Sequence, residues 1–251
     1  MHYINLDNIF KTYQQNGFVV IKKFLKKKKI NEIYKNLERI ENNLKKLRIR
    51  KRDLNLVNGK INSMHGLTKY NNYFKNFSKN RDILKVCGKL LASEPEFREA
   101  EYFAKPAKQG LESPMHQDNF YWNVIGGNAL TMWFALEKST KKNGGVKYIP
   151  KTHKLGVVSH VPSYAPGSSQ KVSNRIISKY NKYIIPKLNP GDVLIHHSEV
   201  IHGSGSNKSN KSRRGLTLQF KDKFSKYDYV AIKKYEKNLN KQIKKRLDKN
   251  N

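Results

Sequence analysis

His116 and Asp118 are the residues of this chain best suited to hold a metal ion together. On an extended segment residues i and i+2 point to the same side, so the imidazole and the carboxylate would be neighbours. A third ligand must come from elsewhere, and residues 191–205 supply histidines on a second predicted strand. Two histidines and one carboxylate on one face of a metal, with the other face open, is the arrangement of non-haem Fe(II) oxygenases.

Two histidines of that second segment compete for the third ligand position. Alternation along residues 193–202 puts His196 and His202 on the same face of the predicted strand. Only His202 is followed directly by the turn-forming residues Gly203-Ser204-Gly205 and, at a suitable distance, by an arginine that opens another strand-like run. The sequence therefore favours His202, with His196 as the alternative.

The arginine in question is Arg213. A hairpin would return it alongside the strand that ends at His202, where its guanidinium could clamp a carboxylate close to the metal. Arg214 is the alternative clamp, but it shares a strand face with two leucines, whereas Arg213 shares one with Thr217 and Gln219. A polar pocket favours Arg213.

Seven short segments follow one another in a specific order and spacing: His116-Gln117-Asp118, Trp133–Glu137, Asn143–Gly145, Ile149–Lys154, Gly191–Val193, His202–Asn207 and Arg213. Together with an opening at Tyr13–Ile21, they resemble the motif series of the phytanoyl-CoA dioxygenase family over roughly residues 12–220. One such motif would say little, but seven in register are specific.

The resemblance implies a mainly β fold with flanking helices, a double-stranded β-helix of the jelly-roll, cupin-like kind. It implies Fe(II) held by His116, Asp118 and His202, O2, and 2-oxoglutarate as cosubstrate with its distal carboxylate on Arg213. The implied reaction is oxidative decarboxylation of 2-oxoglutarate to succinate, coupled to hydroxylation of an unactivated C–H bond. Family members that halogenate lack the carboxylate ligand, so Asp118 favours a hydroxylase.

The resemblance also suggests further contacts with the cosubstrate. It assigns Trp133 and Tyr102 to the cosubstrate pocket and Gln117 to a cosubstrate contact, and Ser204 is a plausible hydroxyl partner for the bound carboxylate. The residues themselves leave two of these roles open. A core tyrosine explains Tyr102 equally well, and strand alternation turns Gln117 away from the ligand pair.

Two positions depart from the family's pattern. Lys151 stands where the family usually has glycine in a Pro-Gly-Ser/Thr-His turn, and His196 replaces a typical aromatic residue. Neither change removes a proposed ligand, but both could alter local packing and the choice of metal. His153 is a further ligand candidate, and it follows the turn in which the family carries a structural histidine, so we interpret it as structural.

Lysine and arginine outnumber aspartate and glutamate by 51 to 19, which gives a net charge of +32. Such an excess attracts phosphate-rich partners, but lysine and asparagine are plentiful even in plain loops, and lysine runs mostly lie on solvated faces. We therefore favour a small-molecule substrate, with a slight preference for an anion such as an acyl-CoA, a phosphorylated metabolite or a carrier-bound intermediate. The rival interpretation is a basic, non-catalytic protein of the same fold that binds nucleic acid or another anion.

The single cysteine, Cys87, excludes an intrachain disulfide and indicates a reducing compartment. Residues 1–10 lack the apolar core of a signal peptide, residues 249–251 do not match a peroxisomal address, and no stretch approaches ~18 apolar residues. We expect a cytoplasmic protein with one domain over residues 1–251.

Hydrophobic spacing predicts the elements that must position these residues. It favours helices over 8–16, 26–49, 71–91 and 227–247, and strands over 18–21, 99–105, 130–136, 146–150, 193–202 and 213–220. The composition of residues 159–182, rich in Ser, Gly, Pro and Lys, predicts a long loop. We expect this loop and residues 119–127 to select the substrate. His65 lies in a predicted loop, where a lone histidine is usually inert, and the basic C-terminal helix is expected to pack on the outside of the barrel.

Overall fold

The computed structural model describes residues 5–165 and 168–247. Residues 1–4, 166–167 and 248–251 lie outside this description. The expectations that the N-terminus is no signal peptide and that residues 249–251 are no peroxisomal address fall partly or wholly on them. Those expectations, and that of a single domain over residues 1–251, stay predictions.

The helices and strands of the described residues alternate along the chain. The helices are α1 (Leu6–Asn16), α2 (Lys27–Glu41), α3 (Asn72–Ser78), α4 (Arg81–Leu91), α5 (Asp118–Trp122), α6 (Asn174–Ile177) and α7 (Tyr229–Leu247). The strands are β1 (Phe18–Ile21), β2 (Leu54–Val57), β3 (Lys60–Met64), β4 (Pro95–Phe103), β5 (Ser113–His116), β6 (Val124–Ile125), β7 (Ala129–Ala135), β8 (Val146–Tyr148), β9 (His160–Ala165), β10 (Ser168–Val172), β11 (Val193–His197), β12 (His202–Ser204), β13 (Gly215–Asp222) and β14 (Lys226–Tyr227).

Antiparallel pairing joins these strands into a large and a small sheet. The large sheet has the order β1-β11-β7-β13-β4-β3-β2, and the small sheet has the order β5-β12-β8. The hairpin β9–β10 packs beside β5, and β14 pairs with β6. Residues of both sheets line one cavity, so the sheets face each other across it. The predicted jelly-roll with flanking helices is confirmed.

Helices α1 to α4 cover one face of the large sheet because that face is apolar. Leu130, Met132 and Phe134 of β7 point toward the helices, whereas Thr131 and Trp133 point into the cavity, as strand alternation requires. The same core contains Val193, Ile195, Leu216, Leu218 and Phe220 of neighbouring strands and Tyr13, Ile33, Phe74 and Leu90 of the helices. Each such side chain contributes about 1.5–3 kcal/mol by burial, so the sheet is firmly fixed behind the cavity.

Two of the predicted helices are shorter or broken. The helix predicted over residues 26–49 ends at Glu41. The one predicted over 71–91 is two helices, because Asn80 caps α4 by accepting hydrogen bonds from the amides of Asp82 and Ile83. Cys87 lies buried in α4, as expected.

The strand predicted over residues 193–202 is wrong, because it is two strands in different sheets. β11 ends at His197 and lies between β1 and β7 in the large sheet, and a turn closed by the Val200 N–H···O=C His197 bond of 3.0 Å precedes β12 in the small one. The hairpin predicted between Arg213 and the strand of His202 is also wrong, since β13 pairs with β4 and β7 instead.

The long loop predicted over residues 159–182 is wrong as well. Its described part contains the β9–β10 hairpin and α6. The C-terminal helix is confirmed, but it lies at the cavity rather than away from it. Its Tyr235 hydroxyl lies 2.9 Å from the Ser169 hydroxyl, and Leu239 lines the cavity. None of the helices within residues 5–165 and 168–247 has the length and apolar character to cross a bilayer.

Candidate metal centre

His116, Asp118 and His202 converge at the inner edge of the small sheet. His116 ends β5, and His202 begins β12 directly opposite it in the antiparallel register. Gln117 keeps an extended backbone, with φ −120° and ψ 133°, before the chain turns into α5 at Asp118. The alternation that placed His116 and Asp118 on one side therefore holds, although Asp118 starts a helix rather than continuing a strand.

The three side chains leave room for one small cation. Asp118 Oδ1 lies 3.6 Å from His116 Nε2 and 3.5 Å from His202 Nε2. One atom from each of the three residues lies within 4.8 Å of the other two. Ligand bonds of about 2.0–2.2 Å put adjacent ligand atoms roughly 3 Å apart, so a modest contraction would close this set around an ion.

Backbone carbonyls fix the tautomer of both histidines. His116 Nδ1 lies 2.7 Å from the Pro114 carbonyl, and His202 Nδ1 lies 3.0 Å from the Val200 carbonyl. A carbonyl only accepts, so each Nδ1 carries the proton and each Nε2 keeps its lone pair for a metal. The two free nitrogens are the ones that face Asp118.

The second oxygen of Asp118 is bound by protein groups. Its Oδ2 accepts a hydrogen bond of 2.7 Å from the Thr131 hydroxyl and one of 3.1 Å from His196 Nε2. The Tyr148 hydroxyl lies 2.8 Å from His196 Nδ1 and donates to it, because His196 Nε2 must hold the ring proton to donate to a carboxylate. His196 thus supports the carboxylate, and only Asp118 Oδ1 points at the other two ligands.

The site favours an ionised Asp118 carboxylate beside a neutral His202. Burial by itself raises the pKa of the Asp118 carboxyl, but the neighbouring side chains of His202, His116 and His196 hold that pKa well below its ordinary value. Burial, with His116 and His196 nearby, lowers the pKa of His202 well below its ordinary value. These are the protonation states that a metal requires of its ligands.

The guanidinium of Arg213 lies in the same cavity, and no carboxylate among the described residues pairs with it. Arg213 is 2% exposed, and its guanidinium carbon lies 5.1 Å from the Trp133 ring centre. Within the described residues its Nε has no hydrogen-bond partner, and burial lowers its pKa to about 10. A buried charge left unpaired is costly, so an anionic ligand would stabilise Arg213 in this position.

Arg214, the alternative clamp, is engaged elsewhere. It forms a 2.9 Å ion pair with Glu137, and its guanidinium carbon lies 4.5 Å from the Tyr34 ring centre. It does not line the cavity, whereas Arg213 does. The predicted polar face of Arg213 is also present, since Thr217 and Gln219 line the same cavity.

The remaining predicted site residues divide into two groups. Trp133 and Ser204 line the cavity with the metal-ligand candidates, but Gln117 and Tyr102 do not. Gln117 is fully buried and bonds to the backbone of Gly156, Val158 and Glu199, which ties the ligand segment to two loops. Tyr102 belongs to the core under the helices, because alternation along β4 turns it away from the cavity. The functional roles of these four residues, like those of His116, Asp118, His202 and Arg213, stay predictions.

His153, the further ligand candidate, lies away from the cavity. Its Nε2 is 3.1 Å from the Gln14 carbonyl, which joins the turn to α1. Lys151, two residues earlier, adopts the left-handed conformation with φ +69°, which explains why glycine suits this turn. Both positions belong to the packing of the fold, not to the metal centre.

The cavity has a volume of about 660 Å³, and both polar and apolar side chains line it. That volume lies within the range of small-molecule sites, about 300–1,000 Å³. Exposed Lys51, Arg52 and Lys69 contribute to its lining, as do His65 and Asp53. The sequence left open whether His65 approaches the site or is inert, and the structure places it in the cavity wall.

Sequence reasoning missed the groups that support Asp118 and those that line the large-sheet side. Thr131 carried a detectable signal, because it is a polar residue within the apolar strand β7, whereas Tyr148 lies next to Lys147 in the short strand β8 and did not stand out. Glu99 and Glu101 carried another, since they alternate with apolar residues along β4 and line the cavity. A polar residue at every second position of a strand indicates that one face of the strand lines a polar, solvent-containing cavity.

Sequence comparison with known proteins finds matches that carry the same family description. The family model described as phytanoyl-CoA dioxygenase matches residues 13–215. The phytanoyl-CoA dioxygenase domain-containing protein 1 of Danio rerio is 27% identical over 158 residues, which cover 61% of this chain and 54% of that protein. The peroxisomal phytanoyl-CoA dioxygenase of Bos taurus is 26% identical over 230 residues, covering 84% of this chain and 67% of that protein. The chain thus spans little more than half the length of several relatives.

Solved structures share the fold at low sequence identity. The epimerase SnoN in complex with Fe3+, alpha ketoglutarate and nogalamycin RO has a TM-score of 0.71 at 18% identity, covering 88% of this chain and 85% of that one. EctD from S. alaskensis with 2-oxoglutarate and 5-hydroxyectoine has a TM-score of 0.70 at 17% identity, covering 86% and 75%. At this identity the likeness establishes the jelly-roll fold.

Proposed function

The chain belongs to the phytanoyl-CoA dioxygenase family, and from this premise we propose that it is a non-haem Fe(II)- and 2-oxoglutarate-dependent oxygenase that hydroxylates an unactivated C–H bond of a small molecule. In this proposal His116, Asp118 and His202 hold the iron. Arg213 binds the distal carboxylate of the cosubstrate, and Trp133 and Ser204 complete its pocket.

The residues present fit the metal. Two imidazole nitrogens with free lone pairs and one carboxylate oxygen meet at one end of a cavity, which leaves the opposite side open for other ligands. Iron with 2-oxoglutarate would supply the O2-dependent oxidation of carbon, a reaction that no side chain can perform alone. The carboxylate ligand Asp118 supports hydroxylation rather than halogenation.

The single observation behind the cosubstrate assignment is that Arg213, in the same cavity as the ligand candidates, has no carboxylate partner among the residues that the structure describes. An arginine fork matches a carboxylate with two parallel hydrogen bonds. The Trp133 ring lies against that guanidinium and shields it from water, which strengthens a charge-assisted bond made there. The chain's own contribution to the reaction is thus to orient the cosubstrate and to keep water from its charged end.

The substrate proposed is a small molecule that enters from the cavity mouth. An anionic group on it, which the net charge of +32 favours, would meet the exposed cations Lys51, Arg52 and Lys69. We also propose a reducing, cytoplasmic setting, on the basis of the single buried cysteine.

The proposal is tested by anaerobic titration of the protein with Fe(II) and 2-oxoglutarate, following the visible charge-transfer band of the iron–cosubstrate complex. We expect the band in the wild type and its loss in Asp118→Ala and His202→Ala. In Arg213→Met the apparent Kd for 2-oxoglutarate should rise roughly 10- to 100-fold, the loss expected for hydrogen bonds to a charged group.

Arg214→Met is the matched control, because it removes the neighbouring arginine without touching the cavity. Its 2-oxoglutarate affinity should stay within about threefold of the wild type, as expected for a side chain that does not line the cavity. A folded wild type without the band would overturn the oxygenase proposal and favour a non-catalytic binding protein. Equal losses in the two arginine variants would overturn the assignment of Arg213.

A further inference from the structure

We propose, on the basis of the oxygenase function above, that the substrate is a compact polar molecule that presents hydroxyl or amino groups to a carboxylate-bearing wall of the cavity, and not a fatty-acyl chain. This polar wall consists of Glu99, Glu101, Thr217 and Gln219. The four residues come from two neighbouring strands of the large sheet and line the cavity that holds the metal-ligand candidates.

Strand register makes the polar wall a continuous surface. Glu101 of β4 lies directly opposite Thr217 of β13, and Glu99 lies opposite Gln219. Residues two apart on a strand share a face, so all four side chains project to the same side. That side is the cavity, since the alternate residues of both strands belong to the core under the helices.

The polar wall leads to the metal centre. Gln219 is opposite Thr131 of β7, which in turn is opposite His196 of β11. Thr131 and His196 are the two residues that bind Asp118 Oδ2. A molecule that lies along this row has one end beside the proposed iron ligands and the other end beside Glu99.

Each carboxylate of the polar wall is held in place but retains accepting capacity. Glu101 Oε1 lies 2.8 Å from His65 Nδ1, and Glu99 Oε1 accepts a 2.8 Å hydrogen bond from the Thr68 hydroxyl. The described residues give no partner to the second oxygen of either side chain. An ionised carboxylate offers about four acceptor sites, so both can accept further hydrogen bonds from a ligand.

An acyl chain would be a poor occupant of this region. An alkyl group against the polar wall would displace water from two carboxylates and return no hydrogen bonds, which is unfavourable. Hydroxyl and ammonium groups do return such bonds, and those to a charged acceptor are the strong ones.

Aromatic rings also line the cavity and suit the carbon skeleton of such a substrate. Tyr121, Trp122 and Tyr235 contribute to the lining. Arg98 lies with its guanidinium carbon 4.5 Å from the Trp122 ring centre and donates a 2.6 Å hydrogen bond to Gln219, which links the rings to the polar wall. These ring faces can contact the carbon atoms of a substrate while the polar wall binds its hydroxyl or amino groups, which favours a compact molecule with several polar groups.

The test measures which compounds stimulate succinate formation by the Fe(II)-loaded protein with 2-oxoglutarate and O2. The panel has three arms: monosaccharides and sugar alcohols, which present hydroxyls; amino sugars and amino acids, which present ammonium groups; and palmitoyl-CoA with palmitate. We expect stimulation from one of the two polar arms and basal turnover with the acyl compounds.

Variants of Glu101 link the response to the polar wall. Glu101→Leu should raise the KM of the stimulating compound roughly 10- to 100-fold, as expected when hydrogen bonds to a charged group are lost. Its charge-transfer band with 2-oxoglutarate should remain. Glu101→Gln keeps an acceptor and removes the charge, so it should impair an ammonium substrate strongly and a hydroxyl substrate little. Glu94→Gln, an exposed carboxylate paired with Lys223 outside the cavity, is the control.

Two results would overturn the proposal. One is stronger stimulation by palmitoyl-CoA than by every polar compound, and the other is basal turnover with the whole polar panel in protein that shows the charge-transfer band. An unchanged KM in Glu101→Leu would overturn the role of the wall. Absence of the charge-transfer band in the wild type would instead overturn the oxygenase function on which this proposal rests.

Discussion

At the scale of single residues, the centre separates three histidines that look alike in the sequence. His116 and His202 each donate Nδ1–H to a backbone carbonyl and present Nε2 to Asp118 Oδ1. His196 presents its Nε2 to the other oxygen, Oδ2, and has Tyr148 behind it. The sequence favoured His202 over His196 because of the turn and the arginine that follow His202. It could not show that His196 supports Asp118, because that depends on which oxygen of one carboxylate each ring reaches.

His196 should therefore affect metal affinity without being a ligand. In His196→Phe, Asp118 keeps only the Thr131 hydroxyl on Oδ2 and loses part of its fixed orientation. Removing such supporting partners typically weakens metal binding about 10- to 100-fold. Anaerobic Fe(II) titration measures the change, and Tyr148→Phe, which keeps the imidazole, should show a smaller loss. Unchanged affinity in His196→Phe would show that Thr131 alone fixes the carboxylate.

Lys105 is a second residue whose protonation state the fold controls. It is 5% exposed, donates hydrogen bonds to the carbonyls of Leu111 and Gly205, and lies in the cavity lining. Burial, with Arg213 nearby, lowers its pKa to about 6. The ordinary value in an unfolded chain is about 10.4, so between these values the unfolded chain binds more protons than the folded one.

Stability should consequently rise with pH over that interval because of Lys105. The burial penalty is fully present below about pH 6 and disappears as pH approaches about 10.4, since stability rises wherever the unfolded state holds more protons. Urea unfolding of wild type and Lys105→Met at pH 6.5, 7.5 and 8.5 isolates this effect. The wild type should gain relative to the variant at each step, and a constant difference would mean that Lys105 stays charged in the fold.

At the scale of elements, the centre depends on how closely β12 approaches β5. Gly203 follows His202, and a Cβ at this position would lie 2.8 Å from the Ser113 carbonyl oxygen and 3.1 Å from the Met115 amide nitrogen. Both atoms belong to the backbone of β5, so the clash cannot be relieved by a side-chain rotation. The strands that carry His116 and His202 would have to separate.

Gly203→Ala should weaken iron binding, although it adds only one methyl group, because that methyl group pushes the two ligand-bearing strands apart. Overpacking of this kind costs about 1–3 kcal/mol of stability, and the displaced ligands should lose at least part of their shared affinity for Fe(II). Thermal unfolding and Fe(II) titration measure the two effects. Gly205→Ala is the control, because a Cβ there meets nothing within 4 Å. Similar behaviour of the two variants would contradict the argument.

Elements with strong periodicity could be predicted, and those defined by long-range pairing could not. The apolar stripes of α1 and α4 and the apolar run of β7 are visible in the sequence because local spacing alone defines them. The sequence did not show the break between β11 and β12, since residues 193–202 contain no glycine or proline to mark a turn and only pairing with different sheets divides them. The β9–β10 hairpin was missed because its residues are largely polar.

The same limit applies to the candidate site. Ligand spacing and the polar face of Arg213 pointed to His116, Asp118, His202 and Arg213 from sequence alone. Tyr102 and Gln117 were assigned by resemblance, and the structure leaves both outside the cavity. Alternation already indicated that Gln117 faces away, and this physical argument predicted its position better than the resemblance did.

At the scale of the whole molecule, the excess of positive charge is the feature that the metal centre does not explain. The net charge is +32, and within the described residues the carboxylates of Glu96, Asp192 and Glu137 already pair with Lys221, Lys22 and Arg214. Most cations therefore have no acidic partner to meet. A large uncompensated charge destabilises the compact state by self-repulsion.

Salt should stabilise this protein against heat, because it screens repulsion among many cations more than it weakens few ion pairs. The Debye length falls from about 30 Å at 0.01 M to about 10 Å at 0.1 M and 3 Å at 1 M ionic strength, and exposed ion pairs contribute only about 0–1 kcal/mol each. The Tm measured in 0.02, 0.1 and 0.5 M NaCl should rise steadily, while equal osmolalities of sucrose separate screening from solute exclusion. A Tm that falls with NaCl would show that the ion pairs outweigh the repulsion, and that the cations are arranged for stability rather than simply in excess.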